Sequence, residues 1–147
     1  MENAIEKWTP QMRDFVQRHI NDDVSTLILS ASRNKGIDVP FAAEQIEARQ
    51  RLKDKLPEWY ANADLLMGGR VPAEQCSSEQ TARFKRSVVE GDTLCDLTGG
   101  MGVDFWYMSQ GMKHAIYTER NASLCEVAWH NITSMASDAS IYEVRCG

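Results

Sequence analysis

Leu94-Cys95-Asp96-Leu97-Thr98-Gly99-Gly100-Met101-Gly102-Val103-Asp104-Phe105 runs from an apolar segment into an acidic, glycine-rich turn. An apolar run that ends on a carboxylate and passes at once into closely spaced glycines has the form of a β-strand entering a tight turn before a helix. The helix is expected from about Val103 to Gln110, with Gly111 ending it, and a second strand from Lys113 to Glu119. That strand, apolar through Ala115-Ile116-Tyr117-Thr118, also closes on an acid, Glu119. Acids at two successive strand ends with a glycine turn between them are the order of a nucleotide-type ligand site at the first strands of a doubly wound sheet. Asp96 then ends the first strand. Gly100 and Gly102, having no side chain, let the backbone approach a ligand closely. Glu119 is placed to accept hydrogen bonds from ribose hydroxyls.

We read the ligand as S-adenosylmethionine (SAM), against three competing readings of the glycines. A phosphate-cradling loop needs Lys-Ser or Lys-Thr after its last glycine, and Val103-Asp104 stands there. A dinucleotide fingerprint starting at Gly100 wants Gly or Ala where Phe105 stands, because that position packs helix on strand. The third reading, a glycine-rich turn that binds nothing, stays open. Asp96 and Glu119 at the two strand ends argue against it.

With these residues in view, the chain resembles class I SAM-dependent methyltransferases, most closely bacterial RNA methyltransferase-like proteins with a helical N-terminal region. Asp96-Leu97-Thr98-Gly99-Gly100-Met101-Gly102-Val103-Asp104 resembles the D-x-T-x-G-x-G-x-D variant of the family's first motif, also seen in a small-subunit ribosomal RNA guanine-N2 methyltransferase family. Thr98 replaces the first glycine of the commoner form. Glu119-Arg120 is the second matching signature, and Glu74 to Ala82, EQCSSEQTA, resembles the segment that precedes the first motif. The resemblance implies a cofactor site made of Asp96, Thr98, Gly99, Gly100, Gly102, Asp104, Glu119 and Arg120. Ser77 and Ser78 are candidates for the methionine carboxylate or for simple helix capping.

Composition sets the wider class. The chain has 147 residues with 43% apolar content, enough for one moderate core. No apolar run approaches a membrane span, and the N-terminus lacks the basic-then-apolar order of an export signal. A cytoplasmic location is expected. Cys76, Cys95, Cys125 and Cys146 are widely spaced, without the close pairs of a zinc site; they are expected as free thiols in a reducing compartment, two of them buried in strands. His19, His114 and His130 have no ligand-like spacing to one another or to an acid, so no metal site is expected. The net charge of −5 advertises no global attraction to nucleic acid. Locally, Arg83-Phe84-Lys85-Arg86 is the candidate for phosphate contact, with a solvated helix face as the alternative.

Upstream of the loop the pattern is helical. Thr9-Pro10 reads as a cap and first position of a helix with the stripe Met12, Phe15, Val16, Ile20. Asn21-Asp22-Asp23 caps a second helix bearing Val24, Leu27 and Ile28. Asp38 opens a third through about Leu56, which Pro57 interrupts. Phe15, Ile20, Leu27, Ile28, Ile46 and Leu52 are the expected packing set of this bundle. The apolar stretch from Trp59 to Met67 can dock on the bundle or on the ligand-binding half. Gly68-Gly69-Arg70-Val71-Pro72 is the expected linker, dividing a helical subdomain, 1–70, from a ligand-binding domain, 71–147. Ser77 with Gln80 reads as a capping box for a helix running to about Glu90.

Downstream, Asn121 caps a helix using Leu124, Val127, Ala128, Ile132 and Met135, and Ile141 to Cys146 is a third strand. The expected fold class is therefore α/β: a helical subdomain followed by the first half, β-α-β-α-β, of a Rossmann-like methyltransferase sheet. By the resemblance, an adenine-contacting acid and the catalytic motif would come after later strands. The chain is thus expected to be the N-terminal part of a longer enzyme, inactive alone and weak or silent toward SAM, with no catalytic acid or base of its own. Its last strand, as an exposed edge, favours a homodimer. The expected function is methyl transfer to RNA by the parent protein. A small-molecule methyltransferase, and a helical binding or assembly module carried on a non-catalytic scaffold, are the alternatives.

Overall fold

A computed structural model describes residues 3–147. Short helices α1 (Ala4–Lys7), α2 (Pro10–Arg18) and α3 (Val24–Leu29) precede the long α4 (Val39–Leu52), and α5 (Pro57–Ala61), α6 (Arg70–Gln75) and α7 (Glu79–Val88) lead into the sheet. The sheet half runs β1 (Thr93–Asp96), α8 (Val103–Met108), β2 (His114–Glu119), α9 (Ala122–Met135) and β3 (Tyr142–Cys146). All three strands are parallel and lie in the order β1-β2-β3. The expected β-α-β-α-β order is the observed one.

Capping fixes the helix starts. The side chains of Thr9, Asp23, Asp38 and Asn121 each accept a backbone N–H two or three residues on, which satisfies donors the first turn leaves free. The start of α7 differs from expectation: Ser78, not Ser77, accepts the Thr81 N–H, and Ser77 is released for other bonds. The end of α4 also differs. It stops at Leu52, and the constraint that Pro57 places on the residue before it shows at Leu56, which sits at φ −132°. Leu56 is still fully buried. Of the expected packing set, Phe15, Leu27, Ile46 and Leu52 are buried and Ile20 partly so, whereas Ile28 is 47% exposed. In α3 the inward stripe is Val24 and Leu27, three residues apart, and Ile28 falls outside it.

Strand alternation puts Leu94, Ala115, Tyr117, Tyr142 and Val144 on the face packed by α8 and α9, around Phe105, Ala128 and Ile132. Thr93, Cys95, His114, Ile116, Thr118, Glu143 and Arg145 occupy the other face, and none of them is buried. Cys95 is exposed rather than a buried strand thiol. Cys125 and Cys146, expected as free thiols, form a disulfide, since α9 returns across β3 and brings positions 21 residues apart together.

Leu65-Leu66-Met67, buried and in neither helix nor strand, holds the two halves together. Its backbone is satisfied by side chains. The Gln45 amide bonds both the N–H and C=O of Met67 at 2.9 Å, and the Asn131 amide does the same for Leu66 at 2.8 Å. Arg49, fully buried, donates to the Leu65, Tyr60 and Asn62 carbonyls; burial pushes its guanidinium down to about 10. Buried backbone groups must be paired, and these three side chains do what a neighbouring strand would otherwise do. The adjoining Gly68-Gly69 pair is tightly packed: a Cβ on Gly68 would meet Leu124, and one on Gly69 would meet Glu44. Arg70 onward is helical, and one apolar cluster joins Leu52, Trp59 and Met67 to Ala73, Ala82, Met101 and Val103.

Candidate functional site

At the carboxyl end of β1 the chain turns through hydrogen bonds that fix the first half of the loop. Asp96 Oδ1 accepts the Thr98 N–H at 3.0 Å, the local bond by which aspartate forms a turn. The Gly99 N–H donates to the Thr118 carbonyl at 2.9 Å, so the loop is still tied to β2 past the strand. The Gly100 N–H donates to Glu119 Oε2 at 3.0 Å, and the Tyr117 hydroxyl donates to the Gly100 carbonyl at 2.6 Å. Gly100 and Gly102 take φ of 54° and 84°, where side chains are strained. Glu119 Oε1 also accepts the Asn121 N–H at 2.9 Å. Glu119 therefore links the glycine loop to the start of α9.

A crevice of about 460 Å³ opens over this loop. Asp96, Thr98, Gly99, Gly100, Gly102, Asp104 and Glu119 all line it. Arg120 does not: it comes after Glu119 at an exposed position outside the lining. Three residues that sequence reasoning did not assign to the site shape it. Tyr117 fills the space that a Gly99 side chain would need; the signal was available, since the register pairs Asp96 with Tyr117 and places an aromatic under the glycines. Leu124 supplies an apolar wall from α9. Lys85 pairs with Asp104 Oδ2 at 2.6 Å while Ser77 donates to the same oxygen at 2.8 Å, and no spacing in the sequence announces that contact.

Arg83-Phe84-Lys85-Arg86, the candidate phosphate patch, is engaged internally. Arg83 pairs with Glu58 and lies over the Tyr107 ring, Lys85 pairs with Asp104, and Arg86 donates to the Gln110 and Val89 carbonyls. The helix packs against α8 through these cations.

The crevice is acidic. Burial pushes the Asp96 carboxyl up, and the neighbouring Asp104 and Glu119 add to that while the Thr98 N–H and Lys85 oppose it. Glu119 goes the other way, held low chiefly by the Asn121 N–H, then by Gly100 and Arg120. Because Asp96 holds its proton more tightly folded than unfolded, keeping it ionised costs stability once pH rises above the ordinary carboxylate range near ~3.9. Asp96→Asn retains the acceptor for Thr98 and removes the charge. It is expected to raise the melting temperature at pH 7, with the gain disappearing below about pH 4, where Asp96 is itself protonated. Thermal melts at the two pH values measure it, and a lower melting temperature at pH 7 would contradict the electrostatics.

No protein-family model matches the chain, and no curated protein matches it. Among solved structures, it is similar to a protein of Porphyromonas gingivalis W83 provisionally described as a methyltransferase, with TM-score 0.79 and 28% identity. The likeness is to a methyltransferase-like α/β fold. It covers 100% of this chain, helical region and sheet half alike. The chain spans only 36% of that protein's length. Among the described residues no group of histidines, cysteines and acids is placed to hold a metal ion, and no helix is long and apolar enough to cross a membrane.

Proposed function

We propose that the crevice binds SAM and that the chain is the N-terminal, cofactor-binding part of a methyltransferase acting on RNA. The observation that carries the cofactor reading is the convergence of Asp96 and Glu119 on one crevice with the glycine turn between them. Charge favours SAM over phosphate-bearing nucleotides. A diphosphate at the start of α8 would face Asp104, and Asp96 and Glu119 line the same space, whereas the sulfonium and ammonium groups of SAM are cationic. The residues present fit the group: glycines at 100 and 102 leave the loop backbone bare, and Glu119, with one N–H on each oxygen, has lone pairs left for ribose hydroxyls.

When bound, SAM supplies the transferable methyl group. The chain's own part is to hold and orient: the ribose on Glu119, the methionine end along the glycine loop, the cationic centre in the field of the three carboxylates. Orientation of donor against acceptor is where such a site gains rate. RNA as acceptor rests on the motif resemblance. A small-molecule acceptor is the second reading, favoured by the internal engagement of Arg83, Lys85 and Arg86, which commits the patch to contacts within the chain rather than to phosphates.

Titration of the isotope-labelled parent enzyme, of which we propose this chain to be a part, with SAM and separately with NAD tests the cofactor reading. SAM should move the amide resonances of Gly99, Gly100, Gly102 and Glu119, and NAD should leave them in place. Equal responses to both, or none to SAM at millimolar concentration, would overturn it.

A further inference from the structure

Three carboxylates line the crevice, Asp96, Asp104 and Glu119, and among the described residues one cation forms an ion pair with any of them. That cation is Lys85. It lies on α7 outside the lining, where its ammonium reaches Asp104 Oδ2 at 2.6 Å and Ser77 Oγ at 3.0 Å. Ser77 in turn donates to the same Asp104 oxygen. Asp104 Oδ1 is buried with no hydrogen-bond partner among the described residues, so this carboxylate is compensated from one side, through Oδ2. Other cations nearby are placed differently: Lys55 donates to the Ala73 and Glu74 carbonyls, and Arg120 lies exposed beside Glu119. The field of the pair reaches across to β1, since Asp104 pushes the Asp96 carboxyl up and Lys85 pulls it down.

We infer that the Lys85–Asp104 pair sets how strongly the crevice distinguishes SAM from the product left after methyl transfer, with Lys85 a positioning residue that acts through Asp104. The inference rests on the cofactor reading proposed above. Transfer carries the methyl group from sulfur to the acceptor and leaves the bonding electron pair on sulfur, so the cationic sulfonium becomes the neutral thioether of S-adenosylhomocysteine. The two ligands share adenine, ribose, carboxylate and ammonium. Contacts with those parts, the ribose on Glu119 included, hold both alike, and the net charge around the sulfur is what tells them apart. Lys85 offsets one of the three negative charges. Removing it strengthens the preference for the cation, and removing the charge of Asp104 leaves Lys85 uncompensated and weakens that preference.

At an effective dielectric of about 20, a unit charge roughly 10 Å from a cation changes its binding constant on the order of tenfold. The pair is partly exposed, 41% at Lys85 and 30% at Asp104, and solvent screening reduces the expected effect to about threefold.

Calorimetry with SAM and with S-adenosylhomocysteine, on the parent enzyme of which we propose this chain to be a part, tests the inference at about pH 8 and low salt. A carbon-13 titration of the Asp96 carboxyl in the unliganded protein accompanies it. Lys85→Met should raise the ratio of SAM to S-adenosylhomocysteine affinity by about threefold or more, Asp104→Asn should lower it by a similar factor, and Lys85→Arg should leave it in place. Without ligand, Asp96 should titrate higher in Lys85→Met and lower in Asp104→Asn. Two variants that break the same ion pair would then shift the ratio in opposite directions, whereas loss of a simple tie between α7 and α8 would weaken both ligands alike. Circular dichroism checks folding, and if Lys85→Met misfolds, Asp104→Asn, which keeps an oxygen for Ser77, decides by its own fall in the ratio. Both ligands bound with the ratio unmoved, shifts of the same sign, or an Asp96 titration indifferent to both variants would each overturn the inference and leave the cofactor reading standing. Failure of the unsubstituted enzyme to bind either ligand would remove the cofactor reading, and this inference with it.

Discussion

Gly99→Ala should lower the melting temperature by roughly 10 °C, the largest stability effect expected of any substitution in the glycine loop. Gly99 has an ordinary φ, so the obstacle is space and not backbone strain. The added methyl would fall inside the ring of Tyr117. That ring cannot move aside: it is fully buried, packed edge-on against Phe105 at 5.6 Å, and tied by its hydroxyl to the Gly100 carbonyl. The Gly99 backbone is pinned from the other side by its bond to Thr118. Overpacking of so rigid a site costs about 3 kcal/mol. Gly36→Ala is the control, with positive φ but nothing within 4 Å of the new methyl, and should cost only about 1 kcal/mol. Melts followed by circular dichroism compare the two, and equal losses would mean that the Tyr117 contact is not what makes position 99 a glycine.

Gly99 also shows how far the sequence could be read. The strand-turn-helix order and both strand-end acids were legible because they rest on local signals: apolar runs, glycines and helix caps. The residues assigned to the ligand site on pattern and the resemblance line one crevice with the exception of Arg120, since a neighbour in sequence at a strand end points its side chain elsewhere. What escaped was long-range. The pairing of Lys85 with Asp104 joins helices across 19 residues of chain, and no periodicity encodes it. The Cys125–Cys146 disulfide likewise results from α9 folding back over β3, which spacing alone does not specify. The glycines at 68 and 69 show a related limit. Glycine marks flexible linkers and tight packing alike, and only the contacts with Leu124 and Glu44 distinguish them.

Glu119→Ala should reduce the SAM affinity of the proposed parent enzyme by roughly ten- to a hundredfold, since a charge-assisted hydrogen bond is worth about 1.5–3 kcal/mol and each ~1.4 is a factor of ten. Two losses act together. The ribose loses its acceptor, and the Gly100 and Asn121 N–H groups lose theirs, so the glycine loop is no longer anchored to the start of α9. Glu119→Gln separates them, keeping one acceptor oxygen without the charge, and should fall between wild type and Glu119→Ala. The pH profile gives a second check. Glu119 is held ionised by those N–H groups, so its folded value lies below the ordinary one near ~4.3; the stability it contributes is complete above that value and is lost only as pH falls through the lowered one. Asp96 is shifted upward and takes up its proton first. Calorimetric titrations with SAM as pH is lowered from 7 should therefore show the first decline in affinity governed by Asp96: Asp96→Asn should flatten that part of the profile, and Glu119→Gln should lower it without changing its shape. A profile whose shape tracks Glu119 instead, or an unchanged affinity in Glu119→Ala, would remove this carboxylate from the site.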